Sequence, residues 1–154
     1  MQLTSYPLEP LYGNLRIEEG DEPLVYDDAN DTDIRAGYTV VGNPTVGIGH
    51  NLLVPMPDRV IQFILEDDVN TAFNTARTYS FFESLNNARQ MAFVDMVFNL
   101  GDRLRSFNTF LAYLRQGNYE AAANDLQNTA WYREVGARAE RIASIFRSGQ
   151  WVYA

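Results

Sequence analysis

The sequence predicts an α+β fold: a small β-hairpin-containing N-terminal lobe, a long connecting helix and a larger, mainly helical C-terminal lobe. Three observations carry this. Residues 24–49 set short β-branched runs between Gly and Pro positions. Residues 57–78 then place apolar side chains at helical spacing along one long segment. Four further segments of helical periodicity follow, punctuated near their ends by Gly101, Gly117, Gly136 and Gly149. The 154 residues suit a single domain. Its first lobe is expected over 15–56, its connecting helix over 57–78 and its helical lobe over 79–154, with residues 1–14 packing on the helical lobe.

Over 8–19, Leu8, Leu11, Leu15 and Glu19 fall on one face of a short helix. Pro10 suits its first turn and Gly20 its end. Leu24, Val25 and Tyr26 form a short apolar run that enters an acidic loop, Asp27–Asp33. Tyr38–Val41 and Thr45–Ile48 read as two hairpin strands joined by a Gly42-Asn43-Pro44 turn. Val60, Ile61, Ile64, Leu65, Val69, Ala72, Phe73 and Ala76 share one face of a helix of about 20 residues. The remaining helices are expected over 85–99, 107–116, 119–128 and 135–147.

Composition narrows the chemistry. With no cysteine, disulfides and thiolate metal sites are excluded, and one histidine rules out the multi-histidine sets of catalytic zinc. No apolar run approaches the roughly 18 residues of a membrane span. The opening Met1–Pro10 has neither a basic nor an apolar leader segment, so no classical export signal is expected. A net charge of −8 argues against nucleic acid. That charge is uneven: residues 1–60 hold ten acids against three arginines, whereas residues 102–154 hold seven arginines against five acids. An anionic polymer would therefore be expected to land on the C-terminal third. All twelve basic residues are arginine, for which no physical reason is evident.

The candidate chemistry sits between Glu19 and His50. Glu19 shares the face of Leu15 at a helix C-terminus, where the macrodipole disfavours negative charge. Partial burial there would raise its pKa further, as a general acid requires; the plain alternative is an acid in a frayed last turn. Asp28 lies in a loop expected to be wet, where a carboxylate stays ionised. Two carboxyls with diverging environments suit glycoside cleavage, although Asp27, Asp28, Asp31 and Asp33 equally describe a solvated acidic loop. Asp28 and Asn30 match the first and third positions of a calcium loop, but Asp33 and Thr39 stand where glycine and glutamate are needed. Thr45 suits a strand and is expected to turn its hydroxyl toward the same cleft. Gly47 and Gly49 leave one strand face bare, which permits close approach of backbone or ligand. His50 is either a proton carrier or a structural partner of an acid such as Asp68.

Taken together these residues resemble the bacteriophage lysozyme (endolysin) family typified by the phage T4 enzyme. The resemblance rests on Leu15-Arg16-Ile17-Glu18-Glu19-Gly20, on Tyr26 with Asp28, and on Thr45-Val46-Gly47-Ile48-Gly49-His50. It resumes at Asp95–Gly101, Ser106–Thr109, Trp131-Tyr132, Arg138–Arg141 and Phe146–Trp151, in the same order. It implies a lysozyme-like fold and hydrolysis of the β-1,4 bond between N-acetylmuramic acid and N-acetylglucosamine in peptidoglycan, without cofactor or metal. Glu19 matches the general acid, Asp28 the aspartate that stabilises charge or activates water, and Thr45 the threonine that positions the water. His50 with Asp68 resembles a structural ion pair. Arg138 resembles an arginine that lies near the catalytic glutamate, and Asn99, Phe107, Asn108 and Trp131 match positions around the cleft, so that all five are candidates for substrate binding. The resemblance further implies a monomer that makes no stable membrane insertion. It would be held in the host cytoplasm until a holin-type pore opens the way to the wall.

Three features depart from the family pattern. Sixteen residues separate Asp28 from Thr45, a long spacing whose loop Ala29–Gly42 either extends the cleft wall or binds a cation. Position 99 is asparagine where glutamine is typical. The chain is acidic where such enzymes are often basic, which should weaken binding to anionic walls at low salt. Two other readings are weighed against hydrolysis. A lytic transglycosylase needs the acid but no water-activating aspartate, and a wall- or calcium-binding module needs neither.

Overall fold

The computed structural model describes residues 8–154. Two compact units divide between Ile61 and Gln62, within the long helix. The part of the expected 1–14 packing segment that precedes Leu8 lies outside the described residues.

The first unit opens with α1, Glu9–Glu19, with Pro10 in its first turn and Gly20 at its end. No residue of α1 is buried. The partial burial expected of Glu19 through its shared face with Leu15 is therefore absent, because Leu11 on that face is itself 51% exposed. A four-stranded antiparallel sheet follows: β1 (Glu22–Asp27), β2 (Thr32–Asp33), β3 (Pro44–Gly47) and β4 (His50–Asn51), in the order β2-β1-β3-β4. Tyr26 pairs with Asp33 on one side and with Thr45 on the other. Val46 pairs with His50 across the tight turn between β3 and β4.

This differs from the expected hairpin in one respect. Tyr38–Val41 is not a strand, and β3 pairs with β1 instead. The reason is local: the backbone N–H groups of Val41 and Gly42 donate to the Asp27 carboxylate, at 2.6 and 2.9 Å. Donors committed to a side chain cannot serve a strand ladder. Proline is tolerated as the first residue of β3, where its missing N–H costs no ladder bond.

The helix α2, Asp58–Ala76, is close to its expected length and carries Ala72 and Ala76 into the core of the second unit. There α3 (Asn87–Leu100), α4 (Asn108–Arg115), α5 (Tyr119–Gln127), α6 (Ala130–Val135) and α7 (Ala137–Ser148) pack around Phe93, Met96, Phe110, Leu114 and Phe146. Short 3-10 turns occupy Phe82–Ser84 and Gly101–Ser106. Tyr79, Phe81 and Phe82 surround Phe93; the first two meet it edge to face, at 5.0 and 5.1 Å between centroids. The helix α6 is not among those expected from periodicity. Its six residues are too few to show a period, but Thr129 caps it by accepting from the Tyr132 N–H at 3.1 Å. Among the described residues no helix is long and apolar enough to cross a membrane.

The architecture is thus the α+β arrangement expected, but the two units are held differently. The helical unit contains the apolar core. Among the described residues of the first unit, the only buried ones are Asp27 and Thr45, both polar. Hydrogen bonds, rather than an apolar core, fix the geometry of the β unit.

Candidate active site

The three residues expected to carry the chemistry, Glu19, Asp28 and Thr45, all lie in the first unit. Glu19 is the last residue of α1, and its carboxylate lies against the turn that follows β3. A Cβ built on Gly49 would stand 2.9 Å from Glu19 Oε2 and 3.4 Å from its Cδ. Gly49 also has a φ of +66°, which other residues adopt only at a cost. The bare strand face expected from the Gly47–Gly49 alternation therefore has an occupant at Gly49, and it is the Glu19 carboxyl. Glu19 itself is exposed.

Asp28 follows the end of β1 and is exposed, as expected of a wet loop. Its two oxygens are held by one residue. Asn43 donates its backbone N–H to Oδ1 at 2.6 Å and its side-chain amide to Oδ2 at 2.9 Å. The Asp28 N–H in turn donates to the Asn43 carbonyl at 3.1 Å. That carbonyl also accepts from the Thr45 hydroxyl at 3.2 Å. Thr45 was expected to open toward a cleft; it is instead 4% exposed, with its proton turned inward onto Asn43. Asp28 and Thr45 are thus brought together through Asn43, and Glu19 meets the far turn of the hairpin that bears Thr45.

The neighbouring carboxylate behaves unlike a loop acid. Asp27 is fully buried and accepts four hydrogen bonds. The Val41 N–H is the strongest influence holding its carboxyl below the ordinary range, while desolvation opposes the shift. The Ala29 and Gly42 N–H groups and the Tyr38 hydroxyl add to the lowering. The Tyr38 oxygen also accepts from the Asn30 amide at 2.9 Å, so the long loop closes upon Asp27. The reading of Asp27 as one of several solvated acids is corrected: its partners are three backbone N–H groups and the Tyr38 hydroxyl, all from within the loop. Among the described residues, no group of three or more acidic or histidine side chains is arranged to hold a metal ion.

In the second unit, Asn99 near the end of α3 accepts the indole N–H of Trp131 at 2.7 Å. Trp131 is only 2% exposed, so its expected role as a direct substrate contact is corrected: it is a core residue that orients Asn99. The half-buried Phe107 ring lies 6.3 Å from Trp131, and Asn108 starts α4 exposed to solvent. Arg138 donates from Nε to Asp95 Oδ1 at 2.7 Å, and its Nη2 stands 2.6 Å from the same oxygen in an ion pair. This pair lines one end of an open cavity of about 620 Å³ whose walls include Leu65, Val69, Phe73 and Met91. His50 lies in β4 of the first unit and Asp68 on α2 in the second.

Sequence reasoning missed Asp27, Asn43 and Asp95. Asn43 offers no signal beyond a turn-forming residue before proline. Asp95 opens a segment that carries the resemblance, but its pairing with Arg138, 43 residues away, leaves no local signal.

Comparison with known proteins follows the same lines. A family model described as phage lysozyme matches residues 28–145, which include Asp28, Thr45 and the helical-unit candidates but begin after Glu19. Probable T4-type lysozyme 2 of Dictyostelium discoideum is 22% identical over 167 residues, covering 88% of this chain and 92% of that protein. Probable T4-type lysozyme 1 of the same organism is 23% identical over 113 residues, 66% of each chain. The pre-baseplate central spike protein Gp5 of Enterobacteria phage T4 is 32% identical over 69 residues, 44% of this chain but 12% of that protein.

Proposed function

The chain belongs to the phage lysozyme family, and we propose that it is a muramidase that hydrolyses the β-1,4 bond between N-acetylmuramic acid and N-acetylglucosamine in peptidoglycan. The observation that carries this reading is the convergence of three residue types on one hairpin. The Glu19 carboxyl abuts the turn at Gly49, while Asp28 and Thr45 share Asn43 at the hairpin's base.

In this reading Glu19 is the general acid, giving its proton to the glycosidic oxygen as the bond from that oxygen to the anomeric carbon breaks. A water attacks the anomeric carbon from the opposite face, and Asp28 accepts its proton. Exchange with solvent then restores both carboxyls. The Asn43 carbonyl takes the single proton of Thr45, so the threonine oxygen is left to accept from that water. A water donating to both Thr45 and Asp28 keeps a lone pair free for attack. This is an inverting course, which needs carboxyls about 6.5–9.5 Å apart rather than the about 5–5.5 Å of retaining enzymes. In the helical unit, Asn99, Phe107, Asn108 and the Arg138–Asp95 pair are proposed to receive the glycan.

Turbidity clearing of isolated cell walls tests the assignment: Glu19→Gln should abolish clearing while leaving the fold intact. A variant that clears walls at the parental rate would remove Glu19 as the acid. An anhydro-muramyl product in place of a reducing sugar would favour the transglycosylase reading. The proposal extends to host lysis. Bacteria expressing the chain should stay intact until their membrane is permeabilised and then lyse; lysis without permeabilisation would contradict this part.

A further inference from the structure

We propose that Asn43 is a positioning residue for the hydrolytic half of the site, holding Asp28 and Thr45 in one frame. This rests on the muramidase reading, since it concerns how two of that reaction's residues are aimed. Asn43 makes four hydrogen bonds to them. It donates twice to the Asp28 carboxylate and accepts both the Asp28 N–H and the Thr45 hydroxyl on its carbonyl oxygen. Both lone pairs of that oxygen are thereby used. A turn asparagine ordinarily bonds its own backbone two residues on. Here the side-chain amide is directed across to another chain segment, at 2.9 Å from Asp28 Oδ2.

The frame is fixed from behind. Buried Asp27 holds the N–H groups of Val41 and Gly42, the two residues that lead into Asn43. Gly42 leaves the space that Asp28 occupies: a Cβ there would fall 2.2 Å from Asp28 Oδ1 and 2.9 Å from the Ala29 nitrogen. Pro44 then starts β3 and sets the direction of Thr45. The long loop Ala29–Gly42 thus delivers a residue that holds the site together. Its ends, at Ala29 and at Val41-Gly42, are tied to a carboxylate that no solvent reaches.

The consequence is chemical as well as steric. Each Asp28 oxygen receives one donor and keeps acceptor capacity for water. With the side-chain donor removed, Asp28 rotates more freely and the water loses its alignment, so turnover falls more than binding.

The test compares Asn43→Ala and Asn43→Asp with the parent and with Asp28→Asn, measuring kcat and KM on soluble glycan fragments of peptidoglycan alongside the thermal midpoint. Asn43→Asp keeps the size of the side chain and all backbone bonds; ionised, it has no side-chain donor and sets a second carboxylate beside Asp28, so it stands in should the alanine variant fold poorly. Both substitutions should lower kcat per folded molecule by about 10- to 100-fold and leave KM within about twofold. A purely structural role would instead lower the midpoint and leave kcat per folded molecule unchanged. Parental kcat in both Asn43 variants with an inactive Asp28→Asn would overturn the positioning role alone. Parental kcat in Asp28→Asn would overturn this role together with the assignment of Asp28.

Discussion

Two glycines, Gly47 at the end of β3 and Gly49 in the turn that follows, offer a matched test of where Glu19 is held. Gly47 and Gly49 have nearly the same backbone angle, φ +65° and +66°, so alanine at either position meets the same left-handed strain. That strain is about 1–2 kcal/mol, which in a chain of this size lowers the thermal midpoint by roughly 2–8 °C. Their surroundings differ. A Cβ at Gly47 meets nothing within 4 Å, whereas one at Gly49 stands 2.9 Å from Glu19 Oε2. Ordinary contacts lie near 3.5–4.0 Å, so the carboxyl must retreat by about 0.5–1 Å. It is the end of a flexible side chain, so this retreat adds little to the stability loss. Misplacement of a reacting group by about 1 Å, however, costs as much as about 100-fold in rate. Gly47→Ala and Gly49→Ala should therefore melt at similar temperatures, while Gly49→Ala clears walls some tens of times more slowly per folded molecule. Equal clearing rates for the two variants would refute the inference that the Gly49 contact sets the position of the acid.

Other substitutions probe the β unit and the Asn99 support. The Asp27 carboxyl is held below its ordinary range by hydrogen bonds, so its stabilising contribution is present above about pH 4 and is lost as pH falls through the lowered value. Asp27→Asn should accordingly melt well below the parent at pH 7, with the gap narrowing below pH 4; a gap constant with pH would contradict this. Gly42→Ala places a Cβ against Ala29 backbone as well as Asp28, and should cost about 1–3 kcal/mol in denaturant unfolding together with most of the activity. In the helical unit, Trp131→Phe removes the 2.7 Å bond to Asn99. It should lose about 0.5–1.5 kcal/mol from that bond, more with the lost ring volume, and raise KM on wall fragments. An unchanged KM would separate Asn99 from substrate binding.

The helical half was the more legible part of the sequence. Apolar periods located α2, α3 and α7 within a few residues; in α3 and α7 the stripe is buried in a shared core, whereas α2 buries only Ala72 and Ala76 and leaves Ile61, Ile64, Leu65, Val69 and Phe73 exposed. The helix α6 escaped because a six-residue helix has no period to detect; only the Thr129 cap marked it. In the β unit the β-branched residues of 38–41 suggested a strand, but a buried carboxylate captures the N–H groups of Val41 and Gly42 at its end. No local pattern distinguishes Asp27 from its exposed neighbour Asp28, since the difference arises from donors up to 15 residues away. The same holds for Asn43, whose bonds to Asp28 and Thr45 depend on where a long loop returns. By contrast, the bare glycine face at Gly49 was readable as a place of close approach, and the structure supplies its occupant. Glu19 at a helix end was also readable, while its exposure was not, because a matching face does not guarantee a partner surface.

The central claim is that this chain cleaves the glycan strand by hydrolysis with Glu19 as the acid. The most direct measurement is the end-group chemistry of purified peptidoglycan after digestion by the parent and by Glu19→Gln. New reducing N-acetylmuramic acid ends are expected with the parent and none with the variant, while both proteins melt within a few degrees of each other. Undiminished release of reducing ends by Glu19→Gln, or no release by the parent, would contradict it.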